Sequence, residues 1–415
     1  MTITIPEKFR IRSLFGRTSG LTFLLSLTVM SHFAFAGTWS EGPDLNEYRY
    51  HHTATRTRSG QVVVIGGLGH SWADIRDTAE IYNPDSRTFR TAPGRMHDAR
   101  HNHTATRLRD GKILVVGGMD DSMNQLDTAE IFDPETGTFR LVHGRLNVER
   151  YRHTATRLPN GRVLIVGGVD ATPSLLDTAE VFDPAAETFT LLTSRISSPK
   201  WGHTATPLGI RSGPYRGAVL IAGGSVSETT CDLFVPRLGR FEYGGDLLVP
   251  RSQHTATRIS PLSRLIDPSG PKGFTPDLAP NPVSGSQENP VQVLIAGGTR
   301  ETLHAELYDF ATRSFTLTDA TTVCHERRAK ARLIPGSDPR VLIVGGSRYV
   351  GSSTSITNRA SEEFFVSDER WRKPNSMFTP RTYHTATRLR TGEILVVGGR
   401  TDGVIPLVSS EVYTP

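Results

Sequence analysis

Two kinds of residue recur in this sequence at spacings that invite a chemical reading. The tetrapeptide His-Thr-Ala-Thr begins at His52, His103, His153, His203, His254 and His384. Glycine pairs stand at Gly66 and Gly67, Gly117 and Gly118, Gly167 and Gly168, Gly223 and Gly224, Gly297 and Gly298, Gly345 and Gly346, and Gly398 and Gly399. Imidazoles ligate metals and accept protons, and glycine-rich turns cradle phosphate. Both uses carry geometric demands that this pattern does not meet. Ligands of one metal must converge to within about 2.1 Å of it, whereas equivalent positions in successive repeats lie much farther apart. A phosphate loop needs a helix after its glycines, and none is predicted here. The expected roles are structural: histidines hydrogen-bonded to backbone, and glycines that allow positive φ or close contact between units.

Charge repeats as well. Three residues before each tetrapeptide stands a base, Arg49, Arg100, Arg150, Lys200, Arg251 and Arg381, with His325 before a degenerate copy that runs from Arg328 to Leu333. An acid follows in the third strand of each unit: Glu80, Glu130, Glu180, Asp232, Glu306, Glu363 and Glu411. Matched numbers predict partly buried ion pairs; the alternative is a basic ring that captures an anion above a central channel.

The residues just before each tetrapeptide differ from unit to unit, and an asymmetric ligand can be read only by what breaks the pattern. Tyr50, His51, His101, Asn102, Tyr151, Arg152, Trp201, Gln253, Glu326, Arg327 and Tyr383 are therefore the candidate binding residues. Aromatic faces interleaved with amides and charges suit a sugar or a peptide; the plainer reading is that they plug a channel. No catalytic set and no metal or other cofactor is expected. Should the protein be an enzyme, His101, Glu326 and Arg327 are its acid and base candidates. Acidic loops at 118–127 and 168–177 are read as solvated rather than as Ca²⁺ sites.

The elements that must position these residues follow from the period of 50 or 51 residues between the first four tetrapeptides. Each unit reads as four short strands: an alternating first strand, an apolar run before the glycine pair, a third strand with an aromatic, and a fourth with another. The third-strand aromatics are Tyr82, Phe132, Phe182, Phe234, Tyr308, Phe365 and Tyr413; the fourth-strand ones are Phe89, Phe139, Phe189, Phe241, Phe315 and Trp371. Seven four-stranded antiparallel meanders bury their faces only if arranged radially, so the fold class is all-β, a seven-bladed β-propeller. Unit seven lacks a fourth strand, and Trp39 near the other end supplies one, closing the ring. The blades are placed at about 46–92, 97–142, 147–193, 197–246, 249–319, 324–374 and 378–415 plus 37–43, one domain over 37–415. A helical repeat is disfavoured by short Val- and Ile-rich runs punctuated by Gly and Asp-Pro.

The glycine pair, the aromatic before Asp-Pro and the second aromatic seven residues on resemble the kelch repeat, in the secreted bacterial type related to the propeller of galactose oxidase. The resemblance implies a propeller that hosts either binding or catalysis. It points first to an exported module binding carbohydrate or an envelope protein. The alternative is a sugar-modifying enzyme, mutarotase- or epimerase-like, or less favoured a copper oxidase. No copper ligands are expected, because neither Cys231 nor Cys324 lies in a counterpart of the family's crosslink motif.

Composition and targeting complete the reading. A basic stretch at Lys8, Arg10, Arg12 and Arg17, an apolar core over 21–30 and Ala34-Phe35-Ala36 predict a Sec-type signal peptide over 1–36 cleaved after Ala36, hence a secreted or periplasmic protein with no transmembrane segment after cleavage. Removing 1–36 takes away four bases and one acid (Glu7), so a net charge of +5 falls to +2, too little to suggest nucleic acid. The two cysteines fall in non-neighbouring units, so no disulfide is expected. Residues 260–290, rich in Pro, Ser and Gly, read as a flexible insertion in blade five. A monomer is expected.

Overall fold

The apolar run ahead of each glycine pair has no polar face, so it must lie inside a sheet covered on both sides. A computed structural model describes residues 37–224, 227–259, 291–299, 303–323, 325, 329–336, 338–350, 354–402 and 405–415 of the chain. In it the runs Val62–Ile65, Ile113–Val116, Val163–Val166 and Ile394–Val397 are buried along their whole length. Each is the second strand of a four-stranded antiparallel sheet, and the described residues form seven such sheets. In blade one the strands are Thr53–Arg56, Val62–Ile65, Thr78–Asn83 and Thr88–Arg95. The seven first strands contact one another in succession and return to the start, so they form the innermost ring, around the central channel.

The core lies between the blades. Seven hydrophobic clusters each join side chains of two neighbouring sheets, as Leu114 and Val116 of blade two meet Val163, Ile165 and Phe182 of blade three. Third- and fourth-strand aromatics pair within each blade at centroid distances from 4.7 Å (Phe132 and Phe139) to 5.1 Å (Tyr82 and Phe89), a favourable tilted geometry. The ring closes as the sequence predicts. Thr38–Glu41 pairs antiparallel with Ser410–Thr414, placing Trp39 opposite Tyr413 with centroids 5.1 Å apart.

Blade six corrects the sequence reading by one residue. The register sets Val341 opposite Phe364 and Ile343 opposite Glu362. The aromatic that stacks on Trp371 is thus Phe364, at 5.1 Å, and not Phe365. The acid that pairs with His325 is Glu362, at 3.2 Å, and not Glu363, which binds Arg340 and the Tyr413 hydroxyl. A doublet of acids followed by a doublet of phenylalanines made either register legible. The degenerate first strand shifts likewise. Lys330 pairs with Val344, just ahead of the glycine pair, as Thr53 pairs with Ile65; Lys330 therefore stands where the other blades carry the first threonine, and Ala329 where they carry histidine. Between the second and third strands of this blade, Ser347–Val350 and Thr354–Thr357 form a ribbon that no pattern foretold.

The repeated charges form ion pairs, and the basic-ring alternative falls. Arg49, Arg100, Arg150, Arg251 and Arg381 are fully buried, and salt bridges of 2.7–3.1 Å join them to Glu80, Glu130, Glu180, Glu306 and Glu411; Lys200 meets Asp232 at 3.1 Å. Each guanidinium also donates to the carbonyl of the first glycine, as Arg100 does to Gly117 at 2.9 Å. The carboxylates accept backbone amides of the incoming connection, as Glu130 does from His97 and Asp98. Burial pulls the Arg100 guanidinium below its usual pKa while Glu130 and Asp98 pull it back.

The histidines add a detail. In five of them Nε2 bonds to a threonine hydroxyl of the preceding blade, as His103 does to Thr53 at 3.0 Å, His153 to Thr104 at 2.9 Å, and His52 to Thr385 at 3.0 Å. The glycine beneath makes room. Gly117 has φ of 60°, and a Cβ there would lie 2.4 Å from the Arg150 carbonyl and 2.9 Å from the His153 ring. Gly117→Ala is expected to cost about 3 kcal/mol or more, combining left-handed strain with overpacking; a urea melt with an unshifted midpoint would contradict it.

Cys231 is buried, with its thiol pushed up to about 12 by burial, while Cys324 lies outside the described residues. The 260–290 insertion lies outside them too. No helix among the described residues is long and apolar enough to cross a membrane.

Candidate functional site

The residue two positions ahead of the first strand has to turn the chain into the ring, and it does so with left-handed backbone. His51, Asn102, Arg152, Gln253 and Tyr383 have φ between 52° and 60°, and Gly202 has 70°. Only glycine and asparagine take this conformation at little cost. Amide-to-carbonyl bonds stitch these residues together across blades: Asn102 donates to His51 at 3.2 Å, Arg152 to Asn102 at 3.0 Å, and Gln253 to Gly202 at 2.7 Å. The preceding residue bridges to the chain just past the glycine pair, as Tyr50 does to Leu68, His101 to Met119 and Tyr151 to Val169. The long loops after the second strands therefore share this face with the collar.

The collar gathers the predicted residues into two groups. Blades seven, one and two contribute Tyr383, Tyr50, His51 and His101. The His51 ring lies 3.8 Å from that of Tyr383 and 6.0 Å from that of His101, and the Arg400 guanidinium sits 5.3 Å from the Tyr50 ring and 5.0 Å from the Tyr383 ring. Blades three and four contribute a stack in which Arg152 lies 4.5 Å over Trp201 and 5.4 Å over Tyr151. Glu326 and Arg327 lie outside the described residues.

Sequence reasoning passed over Trp72 and Arg400, both on variable loops. Trp72 is 55% exposed and meets the His101 ring edge-on at 5.9 Å. The available signal was an aromatic in a loop with no counterpart in the other units.

Electrostatics differ along the collar. His101 is buried, accepts at Nδ1 from the Asn102 side-chain amide at 2.8 Å, and is pulled down to about 4 by burial and then by the nearby Arg152 charge. It is neutral at physiological pH. Burial raises the Tyr50 hydroxyl, which Arg400 partly offsets.

The acidic loops bind themselves: Asp120 accepts the amides of Ser122 and Asn124, and Asp170 those of Thr172 and Ser174. Such turns satisfy the carboxylates without a cation. A groove of about 560 Å³ lies away from the collar, between the tight hairpins of blades two and three, lined by Arg109, Asn160, Arg162 and Asp183.

Comparison with known proteins bears on the fold. The model of the kelch motif matches residues 99–142 and 150–195, which are blades two and three. No curated protein matches the sequence. Among solved structures, a fungal alcohol oxidase of the AA5 family, in complex with copper, superposes with a TM-score of 0.67 at 15% identity, covering 92% of this chain and 76% of that one. The fold is a kelch-type, galactose-oxidase-like seven-bladed propeller.

Copper in that relative raises the question of whether the propeller's own residues could hold a metal. Among the described residues no group of three His, Cys, Asp or Glu side chains is placed to do so. His51 stacks on Tyr383 and His101 is tied to Asn102, so the two imidazoles do not converge on a common point. The described residues do not fit a copper ion.

Proposed function

We propose that this kelch-type propeller is a carbohydrate-active enzyme of mutarotase or epimerase type, with its sugar site at the channel mouth. One observation carries the reading: imidazole, phenol and guanidinium groups from three different blades, His51, His101, Tyr50, Tyr383 and Arg400, line one wall of the collar, with His51 and Tyr383 on backbone held in a costly conformation. Strain of this kind persists where a site needs a side chain aimed. The alcohol oxidase with the same fold supports catalysis on such a scaffold.

In mutarotation a base takes the proton of the anomeric hydroxyl, an acid protonates the ring oxygen, and the C1 to ring-oxygen bond breaks to an open-chain aldehyde. Reclosure on the other face reverses each transfer, so no oxidant is needed. His51, half-buried and braced by Tyr383, is the group assigned to proton transfer. His101, buried and neutral, is a positioning residue. Trp72 and the Arg152–Trp201 stack offer faces to apolar C–H surface.

Anomer exchange of reducing sugars, followed by NMR, should fall about 100-fold in His51→Ala, the lower end of what general acid–base catalysis supplies. Trp201→Ala should chiefly raise KM. The stack at Trp201 also favours a second reading, a binding module without turnover. Thermal stabilisation by a sugar that Trp201→Ala abolishes, with no exchange for any sugar, would select that reading. Export follows in either case from residues 1–36 acting as a signal; processing at Ala36 in a secreting host is the check.

A further inference from the structure

The inner ring is nearly uniform. In six blades the first strand carries two threonines two positions apart: Thr53 and Thr55, Thr104 and Thr106, Thr154 and Thr156, Thr204 and Thr206, Thr255 and Thr257, Thr385 and Thr387. The first threonine of a pair bonds the next blade's histidine, as Thr154 does to His203 at 2.9 Å and Thr204 to His254 at 3.0 Å. Blade six breaks the ring. Its register puts Lys330 and Arg332 in the two threonine places.

Two consequences meet at one point. The next histidine, His384, loses the hydroxyl that the others have: it is 1% exposed, and its Nε2 has no hydrogen-bond partner among the described residues. Two half-buried cations, Lys330 and Arg332, stand on the innermost strand with no salt bridge to a described carboxylate. Burial, and then the Arg332 charge, lowers Lys330 to about 8, and burial lowers Arg332 to about 10, with no described carboxylate opposing either. The Lys330 charge bears on His384 and also on His52, so the ammonium lies toward blades seven and one.

Buried charge without a partner is costly, and so are buried donors left unmade. The repeated base ahead of each tetrapeptide is paired with its own acid, whereas these two cations stand in places that the other blades give to neutral threonines. We infer that the channel wall at the seam of blades six and seven binds an oxyanion, held by the Lys330 ammonium and the Arg332 guanidinium, with the His384 imidazole as a further donor. Phosphate, sulfate and the carboxylate of a sugar acid share the required chemistry. The site is separate from the collar and stands whether or not the sugar chemistry proposed there is right.

The test is calorimetric titration and thermal shift of the full chain with inorganic phosphate, sulfate and glucuronate, each against chloride at matched ionic strength. The variant is Lys330→Thr with Arg332→Thr, which restores the repeat and gives His384 a hydroxyl. It should fold and melt in chloride at or above the parent temperature, while apparent affinity for the oxyanion drops at least tenfold. A stronger response to glucuronate than to phosphate identifies a sugar acid as the ligand, and the reverse identifies a free oxyanion. An unchanged response in the double variant, or no oxyanion distinguishable from chloride in the parent, overturns the inference.

Discussion

Between pH 6.5 and 4 the protein is expected to lose its fold in one steep transition. The cause is the ring of neutral histidines. Burial, and then the neighbouring buried base, pulls His52, His153, His203 and His254 from 6.5 to about 3, and His103 and His384 lie well below the ordinary value for the same reasons. A histidine whose folded pKa is depressed binds protons more readily in the unfolded chain. Its stabilising contribution is whole above 6.5 and is lost progressively as pH falls toward 3. At pH 5 each such group favours the unfolded chain by about 2 kcal/mol, given about 1.4 kcal/mol per pKa unit. Four of them together give about 8 kcal/mol, comparable with the entire stability of a typical domain, about 5–15 kcal/mol. Urea midpoints by circular dichroism from pH 8 to pH 4 provide the measurement. Stability flat down to pH 4 would mean that the imidazoles are not held neutral.

Deleting residues 37–45 is expected to collapse the whole ring rather than loosen one blade. The segment supplies the fourth strand of blade seven, and Trp39, 8% exposed, stacks on Tyr413 and donates from its indole to Ser361 of blade six at 3.2 Å. Losing a buried tryptophan alone costs about 3–5 kcal/mol, and Leu45 is buried in the cluster between blades seven and one. Ser410–Thr414 would then become an unprotected edge. Trp39→Ala isolates the side-chain share. A truncation that melted cooperatively at the parent temperature would show that closure lies elsewhere.

The architecture was legible because it is repeated. Seven glycine pairs and six copies of one tetrapeptide left little freedom in strand count or in which face is buried, and Trp39 could be matched to the missing strand by its aromatic alone. Where a copy degenerates, that redundancy vanishes. In blade six, adjacent doublets at Glu362 and Glu363 and at Phe364 and Phe365 satisfied two registers equally, and only pairing with Val341 and Ile343 decided between them. The same one-residue slip hid Lys330 and Arg332, which become visible as replacements for threonine once the strand is aligned. The collar was legible as a set of positions, since the pattern breaks there. Its division into two groups was not, because Trp72 and Arg400 arrive from loops of irregular length whose return path no periodicity encodes. The left-handed backbone of His51, Arg152, Gln253 and Tyr383 was equally hidden, as none of these residue types announces it.

The strand that completes the last blade has a bearing on biogenesis. Ser40 and Val412 hydrogen-bond across 372 residues of sequence, so the last blade is assembled from two segments that the ribosome makes far apart in time. A product that stops short of Ser410–Thr414 contains no closed circle. Until that strand is made, six sheets must wait with an unsatisfied face at each end, exposed to other chains and to proteases. A polypeptide built this way has its final structure deferred until the closing strand is available. It also makes the folding rate depend on one late, long-range encounter, the slowest kind of step that chain topology imposes.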